Sequence, residues 1–185
     1  LSAILKAWSL VDQIYFYCSR LQYVNEEEKN VFRVKLLRYR GRNLFLSNGA
    51  SIQTGDILLK IHLHNCLLMN EMINIENDTK RALYVYKRVE ESMPSLGHFI
   101  SNHPQNNTIK GIIGITFLHR GVSRLGFEVK EIENPHYKSV KQIGLKPLFI
   151  LCHLNKQQPW KEKNLVPKFL IMSKEQLLSR YLKDA

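Results

Sequence analysis

The stretch 55-GDILLKIHLHN-65 decides the fold, because it alternates like a half-buried strand and ends on two histidines. Side chains on a strand point to opposite faces in turn, so Ile57, Leu59, Ile61 and Leu63 share one face while Lys60, His62 and His64 share the other. Leu58 is the one apolar exception on that second face. One face is committed to a core. The other carries two imidazoles about 7 Å apart, a spacing that two ligands of one metal or two walls of a cleft can use.

Outward from this strand, residues 1–21 place Leu1, Ile4, Leu5, Trp8, Val11, Ile14, Tyr15, Cys18 and Leu21 on one stripe, with Lys6, Asp12 and Gln13 off it. That spacing predicts an amphipathic helix packed on a sheet through its apolar stripe; lying on a membrane surface is the alternative use. After the acidic turn NEEEKN, the segments VFRVKLLRYR and LFLSNG flank GRN, which reads as a hairpin turn between two strands. Residues 78–92 predict a helix capped by Asp78, and Pro94 is expected to end it or to open a second helix through Leu96 and Ile100. HPQNN reads as a loop, and 111-GIIGITFL-118, apolar on both faces, as a central strand covered on two sides.

GFEVKEI reads as a further strand with Phe127 and Val129 facing in, and Asn134 followed by Pro135 opens a short helix that Gly144 stops. Pro147 is expected to open another helix through LFILCHL, followed by a basic exposed loop, NKQQPWKEKN. PKFLIM reads as a strand, and Ser173 with Gln176 forms a capping box for the last helix. The sum is an α+β fold, an antiparallel or mixed sheet with helices packed around it, in a single domain spanning residues 1–185. Strand order does not follow from the sequence.

With 44% hydrophobic and 23% charged residues, the composition is that of a folded globular chain and not of a disordered one. Twenty-seven basic residues against sixteen acidic ones give a formal charge of +11, which favours an anionic partner without defining a mechanism. Cys18, Cys66 and Cys152 are far apart and lack CxxC spacing, so neither a disulfide framework nor a zinc ribbon is indicated and a reducing compartment is the simpler reading. No apolar run approaches the roughly 18 residues a membrane helix needs, and Lys6 and Asp12 interrupt the first twenty residues where a signal peptide would be apolar. The expected location is cytoplasmic or peripheral to the cell envelope.

Four stretches occur together in order: AWSLVDQIYF, GDILLKIHLHN, GVSRLGFEV and IMSKEQLLSRY. In this combination the chain resembles the YkoP family of bacilli and related bacteria over nearly its whole length. The resemblance implies a domain that occurs alone or C-terminal to polysaccharide-deacetylase-like catalytic domains, hence an accessory role in glycan chemistry. The catalytic half of such enzymes has no counterpart here, since the chain lacks both a TFDD stretch and the HxxxH pair for its metal. A distant papain-like relationship is a further expectation for such domains.

Four uses of the polar residues follow. As metal ligands, His62 and His64 require a third donor; Asp56 lies six residues back along the strand, and Cys18, His119, His136 and His153 are unassigned, so no metal and no cofactor is expected. As a nucleophile, Cys66 follows His64 and Asn65 where a helix begins, and a helix N-terminus lowers a thiol pKa, so a hydrolase using Cys66 with His62 or His64 as base, or a His-bound metal, is one alternative. As a basic interaction surface, Arg33, Lys35, Arg38, Arg40 and Arg42 with Tyr39 interleaved would hold nucleic acid or another anionic surface. As a sugar cleft, Asp56, His62, His64 and Asn65 supply planar polar groups, and Trp8, Tyr84, Tyr86, Tyr137 or Trp160 an aromatic platform, Trp160 being the one least explained by packing. The leading expectation is a non-catalytic glycan-binding domain for chitin-like or peptidoglycan-derived N-acetylglucosamine oligomers, with a cleft beside the third strand.

Overall fold

A computed structural model describes residues 2–117, 121–141 and 166–182, with side chains described from Trp8 onward. The elements are α1 (Ser2–Cys18), β1 (Gln22–Tyr23), β2 (Phe32–Arg38), β3 (Leu44–Phe45), β4 (Ser51–Ile52), β5 (Ile57–Leu63), α2 (Asn65–Glu71), α3 (Asp78–Ser101), β6 (Ile109–Thr116), a 3₁₀ turn (Val122–Leu125), β7 (Glu128–Glu131), β8 (Lys168–Ser173) and α4 (Lys174–Tyr181). A further helical stretch covers 135–141, where Asn134 Oδ1 accepts the Tyr137 N–H at 2.9 Å, as the Asn-Pro signal predicts. Among the described residues, no helix is long and apolar enough to cross a membrane.

Among the described residues, six strands form one mixed sheet in the order β1-β2-β5-β6-β8-β7. In it β5 and β6 are the one parallel pair, and a parallel pair needs a crossover, which α2 and α3 supply. The alternation read in β5 is the key to the layers. Leu59 and Ile61 join Phe32, Val34, Ile112, Leu170 and Met172 on the inner face, against Met93, Leu96 and Ile100 of α3 and Leu177 of α4. Ile57 and Leu63 are partly buried beside this core. Leu58, the apolar exception, belongs to a second core on the outer face with Ile113 and Ile171, covered by Tyr39, Leu46 and Ile52.

The expected hairpin across GRN does not form. β2 pairs antiparallel with β5 from Phe32↔Leu63 to Arg38↔Ile57, and β3 pairs instead with β4. The turn that closes β3 onto β4 contains Asn48-Gly49, where Gly49 has φ +84°, Asn48 Oδ1 accepts the Ala50 N–H at 3.1 Å, and Leu46 and Ala50 bond across the ribbon. A dipeptide that tolerates positive φ outcompetes GRN for the turn.

Two helix expectations are also corrected. Asn77, not Asp78, caps α3, accepting the N–H groups of Thr79 at 2.8 Å and Lys80 at 3.1 Å. Pro94 neither ends nor opens a helix: α3 runs on for 24 residues, because Met93, Leu96, Gly97 and Ile100 around the proline are anchored in the core and outweigh one lost helical hydrogen bond. At α4, Ser173 Oγ accepts the Gln176 N–H at 3.1 Å, but Gln176 Oε1 is buried without a partner, so only half of the capping box forms.

The docking of α1 departs from its expected polarity. Val11, Ile14, Tyr15 and Cys18 of the expected stripe are exposed, while Trp8 stays half-buried and Asp12 and Phe16 turn toward the sheet. The cause is a cation on the sheet.

Candidate functional site

On the outer face, β2 offers Arg33 and Lys35 while β5 offers Lys60 and His62, with Arg33 opposite His62 and Lys35 opposite Lys60. Arg33 is 3% exposed, and a buried guanidinium needs a counter-charge. Asp12 of α1 provides it: Arg33 Nη1 donates to Asp12 Oδ2 at 2.7 Å, and Nη2 donates to the Tyr23 hydroxyl at 3.4 Å. The guanidinium also lies 5.1 Å from the Phe16 ring and 5.2 Å from the Tyr23 ring. Arg33 Nε has no hydrogen-bond partner among the described residues. The predicted basic stripe is therefore not one surface. Arg33 is used up inside the fold, Arg42 pairs with Glu133 at 2.9 Å, and Arg38 and Arg40 are exposed.

His62 and His64 do share this face, yet they do not form a pair. The edge of Tyr15 meets His62 at 6.0 Å between ring centroids, and burial together with Lys60, Lys35, Lys141 and Arg33 pushes the imidazole down to about 3. His62 is neutral at any physiological pH, and its Nε2 is buried without a partner. His64 follows β5 at the cap of α2, tilted against the Tyr23 ring at 5.8 Å. Its Nε2 lies 4.0 Å from Asp12 Oδ2, but burial and Arg33 push it down to about 4 against the pull of Asp12, so this contact is not an ion pair near neutral pH.

Cys66 is the second residue of the seven-residue α2 but is 8% exposed, and burial, with the Asp12 carboxylate beside it, pushes the thiol up to about 12. The thiolate that the helix start was expected to favour is suppressed, because desolvation and a neighbouring anion outweigh one turn of helix dipole. No three of His, Cys, Asp and Glu converge to hold a metal among the described residues.

The remaining expected ligands scatter. Asp56 sits in the turn at the opposite end of β5, roughly 20 Å of extended chain from His62, and its Oδ2 accepts the Gln53 N–H at 2.7 Å. Asn65 is the first residue of α2. Trp160 lies outside the described residues. Of the other aromatics, Tyr84 donates to Glu71, Tyr86 packs on the inner core, and Tyr137 stacks beside Phe169 at 6.2 Å on the outer face.

A groove that the sequence did not reveal lies at the other side of β1. It measures about 590 Å³ and is lined by Gln22, Asn25, His98, Phe99, Asn102 and His103, among others, between β1 and the end of α3. A second depression of about 440 Å³ shares Gln22 and His103 with it and continues along β2 past Lys35. They adjoin at Gln22 and His103, where β1 pairs with Arg33 and Val34 and no described strand covers the rest of the β2 edge. Side-chain amides, imidazoles, the Glu28 carboxylate and one phenyl ring line the first of them.

The architecture is that of an α+β domain with a mixed sheet, a covered polar face and an edge groove. The YkoP domain matches residues 2–181, and the chain belongs to that family. It is 40% identical over 183 residues, 98% of either chain, to the uncharacterized protein YkoP of Bacillus subtilis (strain 168). No solved structure matches the fold, so the expected papain-like relationship gains no support there.

Proposed function

We propose that the chain is a non-catalytic glycan-binding domain for chitin-like or peptidoglycan-derived N-acetylglucosamine oligomers, accessory to polysaccharide deacetylation, and that the sugar lies in the edge groove. The groove itself carries the reading. N-acetylated sugars present hydroxyl and amide groups to planar partners and C–H faces to aromatic rings, and Gln22, Asn25 and Asn102 beside Phe99 supply both. Its continuation past Lys35 gives an oligomer, and not one sugar, the longer contact. This moves the sugar away from the His62–His64 face, where Tyr15 and Asp12 of α1 lie against the two imidazoles.

The hydrolase alternative loses its chemistry in the protonated Cys66 and in two histidines without a third ligand among the described residues. The test is calorimetric titration of chitooligosaccharides. Binding in the micromolar to millimolar range is expected, and Phe99→Ala should weaken it by about tenfold, the worth of one lost aromatic stack. Equal affinity in Phe99→Ala and the parent would place the sugar elsewhere.

A further inference from the structure

Lys35 of β2 and Lys60 of β5 stand on the outer face, and Lys141 of the 135–141 helical stretch reaches the same face over the Tyr137 ring, which stacks on Phe169 beside the outer core. Lys35 and Lys60 stand directly opposite each other on paired antiparallel strands, an arrangement that costs stability when both are charged. All three are partly buried. Among the described residues no carboxylate makes an ion pair with any of them. Asp12, the nearest acid on α1, is held by Arg33. Next to the lysines lies the unpartnered Nε2 of His62, with Tyr15 of α1 against the same imidazole and Tyr137 under Lys141 at 5.2 Å.

Lys35 Nζ donates to the Ser19 carbonyl at 3.2 Å, which leaves its charge without a counter-ion, and three ammonium groups gathered without an acid cost stability unless an anion comes to them. We infer that Lys35, Lys60, Lys141 and His62 form a binding site for a compact multivalent oxyanion of the phosphate-monoester class. A tetrahedral phosphate offers enough oxygens for three ammonium groups, and charge-assisted hydrogen bonds to it are about twice as strong as neutral ones. The neutral imidazole adds one N–H donor whose orphaned state in the empty protein is then relieved. The charges bear out the geometry: burial, Lys141 and Lys35 push the Lys60 ammonium down to about 8, and burial with Lys35 lowers Lys141. The groups facing Lys60 are thus Lys35 from β2, His62 from its own strand, Lys141 from 135–141 and, beyond His62, Tyr15 from α1. The site meets the edge groove at Lys35, which also lines the depression along β2, and does not rest on the sugar reading.

The experiment titrates inorganic phosphate into the full chain at constant ionic strength, following the lysine ε-CH₂ signals by NMR. Saturating shifts with a dissociation constant below about 1 mM are expected at pH 7, weakened about tenfold in either Lys60→Gln or Lys35→Gln. Affinity should fall as pH rises past about 8, where Lys60 loses its proton. In phosphate-free buffer Lys60→Gln should melt about 2–4 °C higher than the parent, since it removes a like-charge contact, while added phosphate should raise the melting point of the parent alone. Parallel titrations with N-acetylglucosamine 6-phosphate and with phosphatidate vesicles distinguish a soluble phosphorylated sugar from a lipid headgroup by which binds more tightly than free phosphate. Absence of shifts at about 10 mM phosphate, equal shifts in both variants, or a Lys60→Gln protein that melts lower than the parent and is still protected by phosphate would overturn the site. Phe99→Ala should leave phosphate binding unchanged, so a failed sugar titration and a failed phosphate titration read out separately.

Discussion

Asp12 carries more of the outer face than either histidine. It neutralises a guanidinium that is 3% exposed and accepts from the Cys66 thiol, so it sets how α1 docks and why Cys66 stays protonated. Removing one partner of a buried pair strands the other, and Asp12→Ala should therefore cost roughly 3–5 kcal/mol in urea unfolding, with the joint change Asp12→Leu and Arg33→Met recovering most of it. For Cys66, mass-spectrometric mapping after iodoacetamide at pH 7 should find exposed Cys18 alkylated first and Cys66 more slowly than free cysteine; a faster Cys66 would restore the hydrolase reading. His62 and His64 set a pH dependence whose sign is fixed. Both folded values, about 3 and about 4, lie below the unfolded value of 6.5, so the unfolded chain binds more protons in between. Stability is full above pH 6.5 and falls as pH drops toward 3, by an amount on the order of a few kcal/mol, and His62→Gln should flatten that decline in denaturation measured across the window. The histidines were visible in the sequence; Asp12 was not. Helical periodicity counts apolar residues, and it placed Asp12 in solvent because the cation that draws it inward sits on a strand 21 positions away.

At the scale of elements, β5 was readable to the residue, because period-two alternation next to a core has one stable register. Even its irregularity was informative: Leu58 broke the polar face where the β3–β4 ribbon covers the sheet. Leu58→Ala should accordingly cost about 2–5 kcal/mol, as much as Leu59→Ala on the opposite face, although simple alternation would make residue 58 a solvent position. A stability loss well under 1 kcal/mol in thermal or urea unfolding would contradict the second core. The partner of β2 was not readable. GRN and Asn48-Gly49 both signal turns, and the choice between them depends on β5, which pairs β2 along seven residues and leaves β3 to its local ribbon. The close passage of β6 against β8 is another long-range constraint, since a Cβ at Gly111 would come within 2.5 Å of the Met172 carbonyl oxygen. Pro94 stays inside α3 for the same kind of reason, tertiary anchoring outweighing local preference.

For the molecule as a whole, α+β with a mixed sheet followed from the run of strand and helix patterns, and the single parallel pair is what the long helical insertion between β5 and β6 requires. The groove could not be read, because its lining comes from Gln22 and Asn25 on one side and from residues 95–104 on the other, joined only by the topology. Polar residues on α3 such as His98 and Asn102 look like an ordinary solvated helix end until β1 is laid beside them. The most direct measurement is a ¹H–¹⁵N NMR titration of the full chain with N-acetylglucosamine oligomers. Saturating shifts confined to Gln22, Asn25, His98, Phe99, Asn102 and their neighbours are the predicted result. Flat spectra at millimolar oligomer, or shifts centred on His62 and His64, would contradict it.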